Sequence, residues 1–144
     1  MKNLIRTTVI VALMLSVFAH AYQKSEGEAP VKTTLEQLLA ARAEFDNKVV
    51  EVTGYVAAFR QRTSRIGNDY YTFRLQTKAE ATGENRPALN IYARGKAPEG
   101  LANGKRVTVT GTYRQEKTMR DFTVKDEVDA STVEGKPFGI RVLP

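Results

Sequence analysis

Over much of the chain apolar and polar residues alternate one by one, the period of a half-buried strand. Lys48-Val49-Val50-Glu51-Val52-Thr53-Gly54-Tyr55-Val56 shows it, and returns 57 positions later as Lys105-Arg106-Val107-Thr108-Val109-Thr110-Gly111-Thr112-Tyr113. The alternation predicts a first strand over 49–59, a second over 70–76, a third over 88–94, a fourth ending near Arg114 and a fifth over 121–133, interrupted near Asp126-Glu127. It also places Tyr71, Phe73, Leu75, Leu89, Ile91, Val107 and Val109 in the core. Glycine weakens a strand interior, so Gly54 and Gly111 mark a bend or a close backbone approach.

The connections carry turn chemistry. Residues 60–69 end in Gly67-Asn68-Asp69, residues 78–87 are polar, and the connector 95–104 holds Pro98 and Gly100. A turn is expected over 115–119. The period changes to that of a helix at Leu35, Leu38 and Leu39, with Phe45 extending the stripe. Thr33 and Glu36 stand in a capping-box relation, and Asp46-Asn47 ends the helix. Five strands with one apolar face each leave exposed edges unless the sheet closes. The pattern therefore predicts a mainly β, five-stranded closed barrel with one N-terminal helix whose apolar stripe plugs an end.

The first residues read differently. Lys2 and Arg6 precede a twelve-residue apolar run, Thr7 to Phe18, followed by Ala19-His20-Ala21. Twelve helical residues span about 18 Å, well short of a bilayer core of about 30 Å. The expectation is a signal peptide over 1–21, cleaved after Ala21, and an exported protein, periplasmic or secreted. With no cysteine there is no lipid anchoring at a cysteine. Residues 22–32 are then a flexible lead-in, 33–134 the β domain and 135–144 a C-terminal tail.

Composition narrows the chemistry. The chain has no cysteine, and its one histidine, His20, falls in the leader. Thiol nucleophiles, disulfides, Ser-His-Asp catalysis and imidazole or thiolate metal sites are excluded from the mature chain. Carboxylates alone can hydrolyse glycosides, but here they sit in turns or beside basic residues. Asp126, Glu127 and Asp129 lack the spacing of a calcium loop and read as a solvated face. The expectation is no enzyme, no cofactor and no metal.

The helix before the first strand, the Val50–Val56 segment, Asp69-Tyr70-Tyr71-Thr72-Phe73-Arg74-Leu75 and Gly104-Lys105-Arg106-Val107-Thr108-Val109-Thr110-Gly111 resemble the OB-fold. They are most similar to its anticodon-binding-like members found among secreted bacterial proteins. The resemblance covers residues 33–133, and departs from the family in a short connector at 95–104 with no long helix. It implies a five-stranded OB barrel. OB-folds bind oligonucleotides or oligosaccharides on the face of strands two and three, between the loops joining strands one to two and four to five. On this chain the implied ligand-binding residues are Tyr70, Thr72, Arg74, Asn90, Tyr92 and Arg94 on the face. Arg60, Arg62 and Arg65 come from the first loop, and Arg114, Lys117 and Arg120 from the second.

Charge is concentrated in the same region. Residues 60–78 carry a net charge of +4 and residues 79–114 carry +3, whereas 22–59 and 115–134 are negative. Arginines neutralise phosphates, and aromatic faces stack bases. Tyr70 and Tyr92 also fit cross-strand packing alone, and Arg60, Arg62 and Arg65 a solvated loop. Two functions stay open. One is a non-catalytic exported binding module for single-stranded nucleic acid or another anionic polymer. The other is a periplasmic protein- or envelope-interaction module built on the same scaffold.

Overall fold

A computed structural model describes residues 29–79 and 86–144. The expected signal peptide, and the lead-in as far as Glu28, lie outside the described residues. In chain order the elements are β1 (Val31–Thr33), α1 (Leu35–Ala40), α2 (Arg42–Phe45), β2 (Val49–Thr63), β3 (Asp69–Gln76), β4 (Ala88–Arg94), β5 (Arg106–Met119), β6 (Phe122–Asp129) and β7 (Gly139–Val142).

The strands form one mixed sheet in the order β1-β2-β3-β4-β6-β5-β7, with β2 also paired to β5. β2, β3 and β4 are successive antiparallel neighbours, and β5 returns to lie beside β2. That is Greek-key order. Two pairings are parallel, β1 with β2 and β4 with β6.

The two longest strands change neighbours along their length. Val49–Tyr55 of β2 pairs with β5, and from Tyr55 onward β2 pairs with β3, with a register shift between Ala57 and Arg60. Ala58 there has φ +51°, the left-handed region, so the strand bulges and its twist increases. β5 pairs through Val107–Thr110 with β7 and from Thr112 with β6. The repeated glycines stand at these changeovers. A Cβ on Gly54 would lie 2.7 Å from the Gln76 carbonyl oxygen, and one on Gly111 only 2.2 Å from that of Asp129. Both positions are close backbone approaches, as the repeat implied.

Alternation delivers one side of these strands to a single core. Val50, Val52 and Val56 meet Tyr71, Phe73 and Leu75, Leu89, Ile91 and Ala93, Val107, Val109 and Tyr113, with Leu35 and Leu38 from α1. Leu38, Leu75, Leu89, Val107 and Tyr113 are wholly buried. Burying a side chain of this kind contributes about 1.5–3 kcal/mol.

Several expectations are corrected. The closed five-stranded barrel with one helix is replaced by a seven-stranded mixed sheet with two short helices. Backbone polar groups along the β2–β5 pair need partners, and the short β1 and β7 supply them. The end of the lead-in is thus strand β1, and the tail contributes β7. The helix begins one residue later than its capping signal suggested. Thr34, not Thr33, is the N-cap: its hydroxyl accepts from the Gln37 N–H at 3.1 Å, and Gln37 Oε1 accepts from the Thr34 N–H at 3.3 Å. It also breaks at Ala41 (φ −127°, ψ 43°), where the guanidinium of Arg42 donates to the Leu39 carbonyl at 2.7 Å. Finally, the first loop shrinks to residues 64–68 and the second to 120–121, because β2 and β5 both run further than expected.

Candidate functional site

The outer side of β3 and β4 is set by the same alternation that fills the core. Register places Tyr70 opposite Arg94, Thr72 opposite Tyr92 and Arg74 opposite Asn90. β2 continues the surface on one side, with Arg60 opposite Thr72 and Arg62 opposite Tyr70. β6 continues it on the other, with Glu127 beside Asn90 and Asp129 beside Tyr92. Arg60 and Arg62 are therefore strand residues in fixed register, which a loop assignment did not anticipate.

These side chains enclose a groove of about 340 Å³, lined by Arg60, Arg62, Tyr70, Thr72, Arg74, Asn90 and Tyr92, with Val124 and Glu127. A second depression of about 760 Å³ adjoins it, lined by residues 64 and 66–70 with Tyr92, Arg94 and Gly95. Tyr70 and Tyr92 line both. Their ring centroids are 5.8 Å apart with planes inclined by 34°. This lies within the range of favourable aromatic pairs. The two rings pack against each other diagonally across the strands and still present surface to both depressions.

The carboxylates are not the plain solvated face expected. Glu127 is buried, 6 % exposed, and its Oε1 accepts from the Lys117 ammonium at 3.0 Å. The same ammonium lies 5.4 Å from the centre of the Tyr92 ring. Lys117 is thus neutralised by Glu127 and held on Tyr92, so its charge is committed within the fold. Asn90 is also engaged, donating through Nδ2 to the Lys125 carbonyl at 2.8 Å. Asp129 accepts from the Ser131 N–H at 3.0 Å. Asp126, at φ +51°, turns the other way and accepts from the Tyr113 hydroxyl at 2.7 Å and from Arg42 Nε at 2.8 Å and Nη2 at 3.2 Å.

That network shifts the groups in it. Burial first, and then the hydrogen bond to Asp126, raises the Tyr113 phenol well above the ordinary range. The hydrogen bond to Asp126 raises Arg42. Burial alone raises Tyr71. All three lie away from the groove and serve the fold.

Of the residues suggested by sequence, Arg60, Arg62, Tyr70, Thr72, Arg74, Asn90 and Tyr92 come together in one groove, and Arg94 borders the adjoining depression. Arg65 and Arg120 are exposed in the β2–β3 and β5–β6 turns. Arg114 joins Arg94 in a separate small pocket. Glu127, Val124 and the 84 % exposed Ile66 were not anticipated. Sequence reasoning read Glu127 as part of a solvated face; the expected interruption near Asp126-Glu127 marks where the strand turns one carboxylate inward. Among the described residues no cluster of three or more His, Cys, Asp or Glu could hold a metal ion. No helix among them is long and apolar enough to cross a membrane.

No family model matches the chain, and no curated protein does. Among solved structures it is similar to the small single-stranded DNA-binding protein from Streptomyces coelicolor. The identity is 21% and the TM-score 0.41, over 58% of this chain and 86% of that one. A likeness of that size carries nothing over from one protein to the other.

Proposed function

We propose that this chain is a non-catalytic binding module whose groove on β3 and β4 takes single-stranded nucleic acid, or another anionic polymer of similar spacing. The observation that carries this reading is the Tyr70–Tyr92 pair lying in a groove with Arg60, Arg62 and Arg74. None of these three arginines is in an ion pair with a described residue. Flat rings offer a sequence-tolerant surface for bases, worth about 1–3 kcal/mol per base. The cations beside them match the backbone phosphates. Glu127 does not oppose the polymer, because Lys117 already balances it.

The test is a titration with fluorescently labelled oligonucleotides at rising salt. Three or so phosphate contacts give a slope of log affinity against log salt of roughly −2 to −3. Absence of binding at low salt would overturn the reading. An exported location, read from residues 1–21, belongs to the same proposal. Its check is the amino terminus of the protein isolated from its own cells, expected at Tyr22; an intact Met1 refutes it.

A further inference from the structure

We propose that the pocket between the end of β4, the middle of β5 and the segment leaving β6 is a site for a single phosphate group, free or at the end of a phosphorylated ligand. It has a volume of about 180 Å³ and includes Arg94, Arg114, Thr112, Ser131, Thr132 and Asp129 in its lining. That is smaller than the roughly 300–1,000 Å³ clefts that hold drug-sized ligands, so it suits one compact group.

The lining is rich in hydrogen-bond donors. Arg94 and Arg114 approach from different strands, and neither is in an ion pair with a described residue. Planar guanidinium forks match the oxygens of a phosphate. Ser131 is 8 % exposed and its Oγ accepts from the Arg94 N–H at 3.1 Å. A hydroxyl carries one donor besides its acceptor positions, so the Ser131 O–H remains to be given. Thr112 and Thr132 bring two more hydroxyls.

The one anion present, Asp129, weakens the site but does not cancel it. Its Oδ1 is occupied by the Ser131 N–H, and it stands against two arginines. Lys136, 5.4 Å from the centre of the Phe138 ring that closes one side, adds positive potential nearby. Arg94 also borders the depression beside Tyr70 and Tyr92, so the two cavities share that arginine. The site stands on its own lining and does not require the polymer reading.

The experiment has two arms on the full chain. In the first, inorganic phosphate is added at constant ionic strength while backbone amide resonances are followed. The expected result is a saturable shift confined to Arg94, Arg114 and residues 129–132, lost in Arg114→Gln with the remaining spectrum intact. In the second, one oligodeoxynucleotide is compared with and without a terminal phosphate, at either end. If the pocket receives a chain end, the phosphate raises affinity about five- to tenfold and Arg114→Gln abolishes the gain. Saturation by inorganic phosphate without that gain assigns the pocket to free phosphate and still supports the site. Non-saturable shifts spread over surface arginines, together with no terminal-phosphate gain, overturn it. If unphosphorylated oligonucleotide still binds in that last case, the groove reading survives. If phosphate saturates the pocket while no oligonucleotide binds, the groove reading fails alone.

Discussion

Replacing Gly111 by alanine tests the claim that the repeated glycine exists to let two backbones approach. The new Cβ would sit 2.2 Å from the Asp129 carbonyl oxygen, 2.7 Å from its carbon and 2.9 Å from Ala130 Cα. The first distance is more than an ångström short of the 3.4 Å at which ordinary contact begins. All three neighbours are backbone atoms, so no side chain can swing aside. β6 must move away from β5 beside the Thr112–Asp129 pair, which stretches the adjoining ladder bonds. Overpacking of a tight site costs about 1–3 kcal/mol, and each weakened hydrogen bond adds about 0.5–1.5 kcal/mol. We expect Gly111→Ala to lose about 3 kcal/mol, a large share of the roughly 5–15 kcal/mol that holds a domain together.

The control is Gly104→Ala. Its φ of +82° makes alanine strained, but a Cβ there meets nothing within 4 Å. The left-handed conformation alone costs about 1–2 kcal/mol. Gly54→Ala should fall between them, since one of its clashes is with the Leu75 side chain. Urea unfolding followed by circular dichroism, with the slope m held in common, gives the three differences. If Gly111→Ala is no more destabilising than Gly104→Ala, the close-approach explanation of the repeat is wrong.

Tyr113→Phe should cost about 1.5–3 kcal/mol at neutral pH, the range for a hydrogen bond to a charged group. The folded-state pKa of Tyr113 is raised, so its stabilisation is complete below the ordinary phenol value of about 10 and is lost as pH rises beyond it. Stability against pH should thus fall less steeply above pH 10 in the variant, and parallel curves would refute this. Tyr71 and Tyr113 should both ionise above the ordinary phenol range in an absorbance titration. Tyr92→Ala, and separately Tyr70→Ala, should each weaken oligonucleotide binding by more than about 1 kcal/mol if the rings stack bases. Unchanged affinity in filter binding would reduce both to packing. Truncation after Glu134 removes β7, whose Ile140 and Val142 pack on the core. It should lower the thermal midpoint by several degrees, and an unchanged midpoint would show that β7 contributes little.

The strand faces were legible because alternation is local. Tyr71, Phe73 and Leu75 against Tyr70, Thr72 and Arg74 divide into core and surface as their sequence positions require. The extent of β2 and β5 was not legible. Arg60-Gln61-Arg62 and Gln115-Glu116-Lys117 are polar, and polar runs read as loops, yet ladder bonds to β3 and β6 hold them extended. β1 and β7 escaped notice because three or four residues carry too little pattern to announce a strand.

By itself the sequence determined which side chains face inward, where the two glycines must stand, and that arginines and tyrosines collect on the surface of β3 and β4. Those properties follow from a period of two and from single-residue sterics, which are written along the chain. Only the tertiary structure decided that Arg42 and Tyr113 both meet Asp126, that Lys117 is held on buried Glu127, and that Arg94 and Arg114 share one pocket. Each of these depends on the register and packing that set residues of different elements side by side. A shift of one residue in that register would turn every such side chain to the opposite face.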